Sequence, residues 1–321
     1  MAHHPDLVVP ILRSGVLARQ FCERVAFATV EAAFERCFYL RCDEDFVCIG
    51  RPDIGNGSIT LIANLHALPA LQSLAGQIAM IRESSIAIGN SVRFTLDQSE
   101  PWRPAGWPLC PSPARLIDIC AALASRIATG APQEGLARCI AGGVDMVRRS
   151  PLSRIARPRI ATFEGWVSGL LDRRLGSPVG SVKAVAGLIG LGPGLTPSGD
   201  DFLIGALAVL DAIGESGAHA AMARAIVDAL PGLTTPLSAC FLRAAAAGHL
   251  GETLHRTVSS LMTEDVDAAI AAAGQIGHSS GWDMVAGILT TLRIAAARRH
   301  IGSYRGMFPD TARPAERPAV D

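Results

Sequence analysis

The sequence predicts an α+β protein, with a β-rich N-terminal domain over residues 1–110 and a mostly α-helical domain over residues 111–302. Two patterns predict this division. Short runs of β-branched and aromatic residues, separated by turn residues, fill the first third of the chain, which is typical of a small barrel or a sandwich. Apolar residues spaced about 3.6 positions apart dominate the remainder. Residues 303–321 carry prolines and charges without an apolar period, so we expect a disordered tail there.

The strand predictions rest on hydrophobic runs that are bounded by turn residues. A hairpin is predicted from residues 34–40 and 46–50, which flank an acidic turn at residues 43–45. Further strands are predicted over residues 58–63 and over residues 85–96, where Gly-Asn at 89–90 breaks the run. Five prolines between residues 100 and 113 then mark the crossing to the second domain.

The helix predictions rest on apolar periodicity and on the abundance of alanine, the best helix former. The predicted helices span residues 113–127, 132–148, 162–174, 177–188, 201–213, 218–230, 237–247, 252–262, 264–273 and 284–299.

Composition and charge exclude several classes of protein. The 321 residues include 29 basic and 29 acidic side chains, and this neutral balance is unlike that of a dedicated nucleic-acid binder. Apolar residues make up 49%, which excludes a disordered chain. No apolar run approaches the ~20 residues of a membrane-spanning helix, and no signal peptide is recognisable. The eight cysteines form no Cys-x-x-Cys pair. We therefore expect a cytoplasmic protein with no membrane or nucleic-acid partner.

A glycine- and proline-rich loop at residues 190–202 is the most unusual segment, with the sequence Gly-Leu-Gly-Pro-Gly-Leu-Thr-Pro-Ser-Gly-Asp-Asp-Phe. It lacks the Gly-Lys-Ser/Thr ending of a Walker loop and the third glycine of the dinucleotide fingerprint. We expect Ser198 to cap a helix that begins at Gly199, with Asp201 completing a capping box. The amides of a helix N-terminus are a ready anion site. The alternative is a well-capped helix after a purely structural loop.

A second segment repeats this pattern. Residues 278–289 align without gaps on residues 196–207 and share Ser-Gly-x-Asp-x-x-x-Gly-x-Leu. Each motif has a glycine four residues after its aspartate, Gly205 or Gly287, and a glycine there lets another backbone come close. We therefore expect the two helix N-termini to face each other across one site, which would bring two positive dipole ends and several carboxylates together.

The predicted site combines both motifs. Its catalytic candidates are Asp200, Asp201 and Asp283, which would orient an amide or hold a cation, and His278, which can exchange protons near neutral pH. Asp200 and Asp201 are the candidate ligands of a divalent cation such as Mg²⁺. Because carboxylates repel anions, we also expect a cation or an arginine close to these two residues. The predicted substrate-binding residues are Gly192, Gly194, Thr196, Ser198, Gly199, Ser279, Ser280 and Gly281.

Lys183 is the only lysine of the chain and precedes the glycine-rich loop. A lysine on a helix before an anion site can reach the anion, although a solvated lysine is the more ordinary reading. Its role therefore depends on its distance from the loop.

The segments at residues 190–202 and 277–283 resemble the hallmark elements of the AllH-like family, and the likeness extends over most of residues 15–300. The family is associated with the AllH subunit of oxamate carbamoyltransferase in allantoin catabolism, a branch of purine degradation. The resemblance implies a transferase subunit that works with other subunits and handles small anionic metabolites, namely oxalurate, oxamate, phosphate and carbamoyl phosphate. It leaves open a non-catalytic metabolite-binding or assembly subunit with an anion site at the paired helix N-termini, and it also leaves open a homo-oligomer.

Overall fold

The computed structural model describes residues 7–65, 71–82, 84–141, 150–172 and 178–307. It confirms the predicted α+β class, because a closed β-barrel is followed by a helical region. None of the helices within these ranges is long and apolar enough to cross a membrane.

Eight strands form the barrel. The order around it is β1-β5-β4-β3-β2-β6-β7-β8, and it closes because β1 pairs with both β5 and β8. The β1–β8 and β4–β5 pairs are parallel, whereas the other pairs of the barrel are antiparallel. Helix α1 (Val16–Arg24) follows β1. The strands in the described part of the chain are β1 (Leu7–Ser14), β2 (Phe27–Ala33), β3 (Cys37–Cys42), β4 (Asp45–Gly50), β5 (Thr60–Ala63), β6 (Ile78–Arg82), β7 (Ser85–Ile88), β8 (Val92–Thr95) and a short β9 (Glu100–Pro101) beside β1.

The structure confirms the predicted hairpin as β3 and β4, and it confirms the break at residues 89–90 between β7 and β8. Strand β4 does not alternate between buried and exposed residues, since all of its residues except Asp45 are buried. One face of β4 belongs to the barrel core, and Phe46 on the other face packs with Leu237 and Cys240 of the helical region. The sequence analysis did not predict strands β1, β2 and β6.

The helical region is built around two helices, α6 and α11. Every residue of α6 except Asp211 is buried, because α6 is surrounded by other helices. The helices of this region are α2 (Pro113–Gly130), α3 (Ala137–Ala141), α4 (Pro151–Leu171), α5 (Pro178–Ala186), α6 (Ser198–Ala212), α7 (Ser216–Ala229), α8 (Pro236–Ala246), α9 (Glu252–Met262), α10 (Val266–Ala273) and α11 (Ser280–Met307).

Two helix predictions and the start of the predicted tail need correction. Helix α4 begins at Pro151 rather than at residue 162, since Ser150 caps it and the proline takes a first-turn position whose amide needs no partner. The predicted helix over residues 132–148 is represented by α3 alone, because Gly135 adopts a φ of 84° that interrupts a helix, and residues 142–149 lie outside the described residues. The predicted tail does not begin at residue 303, because α11 continues to Met307; residues 308–321 lie outside the described residues.

Candidate functional site

The two repeated motifs lie against each other at the starts of α6 and α11. The hydroxyl of Ser198 in the first motif hydrogen-bonds to Asp283 in the second, and the hydroxyl of Ser280 in the second hydrogen-bonds to Asp201 in the first. The Oγ1 atom of Thr196 lies 3.2 Å from the Oγ atom of Ser280. The serine of each motif therefore contacts the aspartate of the other, in an arrangement close to a local twofold.

The helix crossing that brings the motifs together depends on their shared glycines. A Cβ on Gly205 would lie 2.0 Å from the carbonyl oxygen of Met284, and one on Gly287 would lie 1.9 Å from that of Phe202. Real Cβ atoms do not approach oxygen so closely, so only glycine fits at either position. The predicted close approach of two backbones at these glycines is confirmed.

Both motifs also pack in the same way against the segment that precedes them. A Cβ on Gly199 would lie 2.0 Å from the carbonyl oxygen of Leu188, and one on Gly281 would lie 1.9 Å from that of Ala273. The repeated sequence pattern thus corresponds to two copies of one local structure, in which a helix start is pressed against the preceding segment.

The predicted capping boxes are wrong. Helix α6 begins at Ser198 itself, with Pro197 in the capping position and no side-chain cap. Helix α11 likewise begins at Ser280. Each serine is therefore the first residue of its helix rather than the cap, and its hydroxyl hydrogen-bonds to the opposite carboxyl group.

The amides at the helix starts are also engaged, which corrects the predicted role of Gly199 and Gly281 as amide donors to an anion. The Gly199 amide donates to the carbonyl of Leu191 at 2.8 Å, and the Gly281 amide donates to that of Ile276 at 2.9 Å. The amides of Asp200 and Asp201 both donate to the carbonyl of residue 197, at 2.9 and 3.2 Å. These N–H groups are therefore not available to an incoming ligand.

The tip of the glycine-rich loop differs from the helix start that follows it. Gly192 and Gly194 adopt φ angles of 115° and 98°, which only glycine reaches easily. Gly194 has open space where a side chain would be, and it is exposed, whereas Thr196 is half-buried. Within the described residues, the amides of these three residues have no hydrogen-bond partner. The loop tip, rather than the helix start, offers N–H groups to an anion.

Asp200 holds the glycine-rich loop in place through hydrogen bonds to the protein. Its Oδ1 atom accepts a hydrogen bond from the Gly190 amide at 2.8 Å, and its Oδ2 atom accepts hydrogen bonds from Ser238 Oγ at 2.6 Å and from Thr234 Oγ1. Burial raises the pKa of Asp200, and these hydrogen bonds partly offset that rise. The carboxyl therefore ties the start of the loop to the start of α8.

Asp201 and Asp283 are the carboxyl groups with unused hydrogen-bonding capacity. Each is only 1% exposed, and within the described residues the Oδ2 atom of each has no hydrogen-bond partner. Burial raises the pKa of Asp283 to about 7, although hydrogen bonds that include the Leu136 amide lower it. Burial also holds the pKa of Asp201 well above its ordinary value, and the negative charges of Asp283 and Asp200 raise it further. Both shifts favour the protonated form of these carboxyls relative to an exposed aspartate.

The expected cation is not supported by the residues around these carboxyls. No group of three or more His, Cys, Asp or Glu side chains within the described residues is arranged to hold a metal ion. The ion pairs recorded for that part of the chain include none to Asp200, Asp201 or Asp283. Three protein donors already bind the carboxylate of Asp200, which leaves it little capacity for a cation. Hydroxyl groups contact all three buried carboxyls, and burial favours their protonated forms.

The other predicted residues, His278, Ser279 and Lys183, lie outside the buried pair of Asp201 and Asp283. The His278 side chain is 82% exposed, and its Nε2 atom lies 3.7 Å from a carboxyl oxygen of Glu134. Ser279 is half-buried, and its hydroxyl hydrogen-bonds to Asp283. Lys183 on α5 is exposed. His278 thus lies at the surface, whereas Ser279 contributes directly to the surroundings of the buried carboxyl.

The sequence analysis did not predict the hydrogen-bond donors that other segments supply to Asp283 and Asp200. The Leu136 amide donates to Asp283 Oδ1 at 2.5 Å, and a Cβ on the preceding Gly135 would lie 2.4 Å from the same oxygen. Gly135, which follows α2, was the sequence signal for this contact. The helix predicted over residues 132–148 did not take this glycine into account. Thr234 and Ser238, the partners of Asp200, belong to a Thr-Thr-Pro helix start that resembles an ordinary cap.

Two cavities lie at the junction of the barrel and the helical region, away from the paired carboxyls. The larger is about 600 Å³ and the smaller about 500 Å³. None of Ser198, Asp201, Ser280 and Asp283 lines either cavity, but Gly277 and Met284, which flank the second motif, line the larger one.

The role of Asp200 can be tested by removing its carboxyl. We expect Asp200→Ala to lower the free energy of unfolding by on the order of 3 kcal/mol, because it leaves the buried Ser238 hydroxyl and the Gly190 amide without their acceptor. Urea denaturation measures this change. The matched control is Asp228→Ala on the exposed surface of α7, which should change stability by less than about 0.5 kcal/mol. Equal effects of the two substitutions would contradict the role of Asp200.

Comparison with known proteins supports the resemblance read from the motifs. No solved structure matches the chain significantly. Residues 188–292 match the family described as oxamate carbamoyltransferase subunit AllH. The matched segment contains both repeated motifs and most of the contacts between them. The match supports the assignment of this chain to an AllH-like family.

Proposed function

We propose that the chain is a subunit of a multi-subunit carbamoyltransferase that acts on small anions, with oxalurate and phosphate giving oxamate and carbamoyl phosphate. The observation that carries this proposal is the pair Asp201 and Asp283. Both carboxyls are buried, each has one oxygen atom without a partner among the described residues, and both lie in the segment that matches the family. Buried polar atoms are normally satisfied, so these two oxygens favour a ligand that donates hydrogen bonds.

The substrates have the complementary groups. Oxalurate and oxamate each carry amide N–H groups next to a carboxylate. The N–H groups suit the free oxygens of Asp201 and Asp283. The carboxylate, or the phosphate, suits the amides of Gly192, Gly194 and Thr196 at the loop tip. Thr196 connects the two parts, because its backbone belongs to the tip while its hydroxyl hydrogen-bonds to Asp201.

Protonation removes the repulsion between carboxyls and an anionic substrate. Burial holds the pKa of Asp201 well above its ordinary value. This shift favours the neutral form of the carboxyl, which can also donate a hydrogen bond. Asp283, whose pKa burial raises to about 7, can both accept and release a proton at that pH. No cation is needed to bring an anion to this pair.

The proposed reaction requires one proton to move between the reactants. A phosphate oxygen attacks the carbamoyl carbon of oxalurate, and the bond between that carbon and the oxamate nitrogen breaks. The nitrogen gains a proton and the phosphate loses one, so no net proton is consumed. We assign this transfer to Asp283, with Asp201 holding the amide. His278, which is exposed and close to Glu134, is a secondary candidate for exchange with solvent.

The alternative is a non-catalytic subunit that binds a metabolite or organises the complex. The near-complete burial of both carboxyls favours this alternative, because a substrate reaches them only if the loop tip moves. We propose that the complex works in the cytoplasm, in line with eight free cysteines. A homo-oligomer within the complex is compatible with the same proposal.

The test is phosphate-dependent cleavage of oxalurate by the complete complex, assembled with this chain or with a variant. We expect Asp283→Asn to lower the rate at least 100-fold, because the amide keeps the acceptor for Leu136 but cannot transfer a proton. Complex formation is measured in parallel by size-exclusion chromatography.

The matched control is Asp228→Asn on the exposed face of α7, which should leave the rate unchanged. If Asp283→Asn assembles normally and retains full activity, the catalytic role is wrong and the non-catalytic alternative is favoured. If the complex without this chain is fully active, both proposals fail.

A further inference from the structure

The two cavities at the domain junction adjoin each other. The barrel loop after β4 and the start of α9 line both of them, and these two segments are hydrogen-bonded to each other through Asn56 and Glu252. The volume of each cavity lies within the range of small-molecule sites. The residues common to the two cavities are Gly55, Asn56, Glu252, Thr253 and Gln275.

The larger cavity is mostly apolar and has an aromatic wall. The ring of Tyr39 makes edge-to-face contacts with Phe34 at 6.1 Å and with Phe241 at 6.3 Å, and all three side chains line the cavity. Only 5% of the chain is aromatic, so three rings around one cavity are a local concentration. An aromatic wall suits a planar ring better than it suits a flexible acyl chain.

Asn56 supplies an acceptor that has no donor. Its backbone amide and its Nδ2 atom both donate to Glu252 Oε2, at 2.8 and 2.6 Å. This contact fixes the orientation of the side-chain amide, because a carboxylate accepts only from the nitrogen. The Oδ1 atom of Asn56 is buried and has no partner within the described residues. A ligand with an amino or amide N–H group can satisfy it.

The smaller cavity is polar and carries two arginines, Arg13 and Arg256. It also contains two carboxylates: Glu252 accepts a hydrogen bond from Asn56, and Asp53 forms an ion pair with an arginine of the larger cavity at 3.5 Å. Arg256 donates to the neutral amide of Gln275 at 2.5 Å. The ion pair of Arg13 with Glu100 is long, at 3.8 Å, and solvent-exposed. Both guanidinium groups therefore retain donors for an anion.

We propose that the two cavities form one bipartite site for a nucleoside phosphate. The base lies against the aromatic wall of the larger cavity and donates an exocyclic N–H to Asn56. The phosphate lies in the smaller cavity, against Arg13 and Arg256. This site is separate from the paired carboxyls, and the proposal does not depend on the function proposed for them.

The test is calorimetric titration of the full-length protein with ADP and with adenosine, which lacks the phosphates. We expect Ala244→Phe, on the wall of the larger cavity, to weaken the binding of both molecules at least tenfold by filling the space for the base. We expect Arg256→Gln to weaken ADP binding roughly tenfold, as for loss of a charge-assisted contact, and to leave adenosine binding unchanged.

Each variant has a matched control. Ala247→Phe, at the exposed end of α8, is the control for Ala244→Phe, and Arg224→Gln, on the exposed side of α7, is the control for Arg256→Gln. Neither control should change binding. Thermal melting checks that each variant is folded, and Arg256→Gln, on an exposed side chain, keeps the test valid if Ala244→Phe does not fold.

Four results would overturn the proposal. The first is the absence of ADP binding at millimolar concentration. The second is ADP binding that neither variant weakens. The third is an equal loss of ADP and adenosine binding in Arg256→Gln, which would remove the assignment of the phosphate to the smaller cavity. Binding of octanoate in place of ADP would likewise overturn the assignment of an aromatic ring.

Discussion

Replacing Gly205 or Gly287 by alanine is expected to lower the free energy of unfolding by on the order of 4 kcal/mol. The added Cβ would lie 2.0 Å from the carbonyl oxygen of Met284 or 1.9 Å from that of Phe202. A backbone oxygen on a buried helix cannot move aside as a flexible side chain can. The substitution therefore forces α6 and α11 apart, and with them the paired carboxyls. Urea denaturation followed by circular dichroism measures the loss.

Gly217→Ala is the matched control for these substitutions. Gly217 lies in helix α7, and a Cβ there would meet no atom within 4 Å. Alanine should leave stability unchanged or raise it by up to about 1 kcal/mol, since it restricts the unfolded chain. If Gly205→Ala and Gly287→Ala were tolerated as well as Gly217→Ala, the close crossing of α6 and α11 would be wrong.

Replacing Asp283 by asparagine is expected to remove a large part of the pH dependence of stability. Burial raises the pKa of this carboxyl from 3.8 to about 7, so the folded state binds the proton more tightly than the unfolded state does. The stabilisation by that proton is complete below pH 3.8 and is lost as the pH rises through 7. A difference of about three pKa units corresponds to about 4 kcal/mol.

The measurement is urea denaturation of the wild type and of Asp283→Asn at several pH values from 4 to 8. The wild type should lose about 4 kcal/mol relative to the variant across this range, so that the variant becomes the more stable protein at high pH. Asp228→Asn, on an exposed side chain, should retain the pH dependence of the wild type. A difference between wild type and Asp283→Asn that stays constant with pH would contradict the raised pKa.

The sequence revealed the fold class and the repeated motifs because both depend on local patterns. The hairpin of β3 and β4 follows from two apolar runs around an acidic turn. The crossing at Gly205 and Gly287 follows from glycines at equivalent positions of two aligned helices. A repeated pattern of this kind indicates a repeated structure even when no contact is known, which is why the pairing of the motifs could be anticipated.

The partners inside the site could not be read from local patterns. Ser198 has the sequence context of a helix cap, but its hydroxyl hydrogen-bonds to Asp283, which is 85 residues away. Asp200 has the sequence context of a metal ligand, but Thr234 and Ser238 donate hydrogen bonds to its carboxylate. The cavities at the domain junction are formed by the barrel and the helices together, so no single segment indicates them. Each of these features is set by tertiary contacts between distant parts of the chain.

The central claim is that Asp201 and Asp283 form a proton-carrying site for a small amide. Carboxyl carbon NMR of aspartate-labelled protein, titrated with pH and with oxamate, tests it most directly, and Asp201→Asn and Asp283→Asn assign the signals. We predict that Asp283 titrates with a pKa of about 7, that Asp201 titrates well above its ordinary value, and that oxamate shifts both titrations. Titration of both carboxyls near the ordinary value of 3.8, with no response to oxamate, would contradict the account.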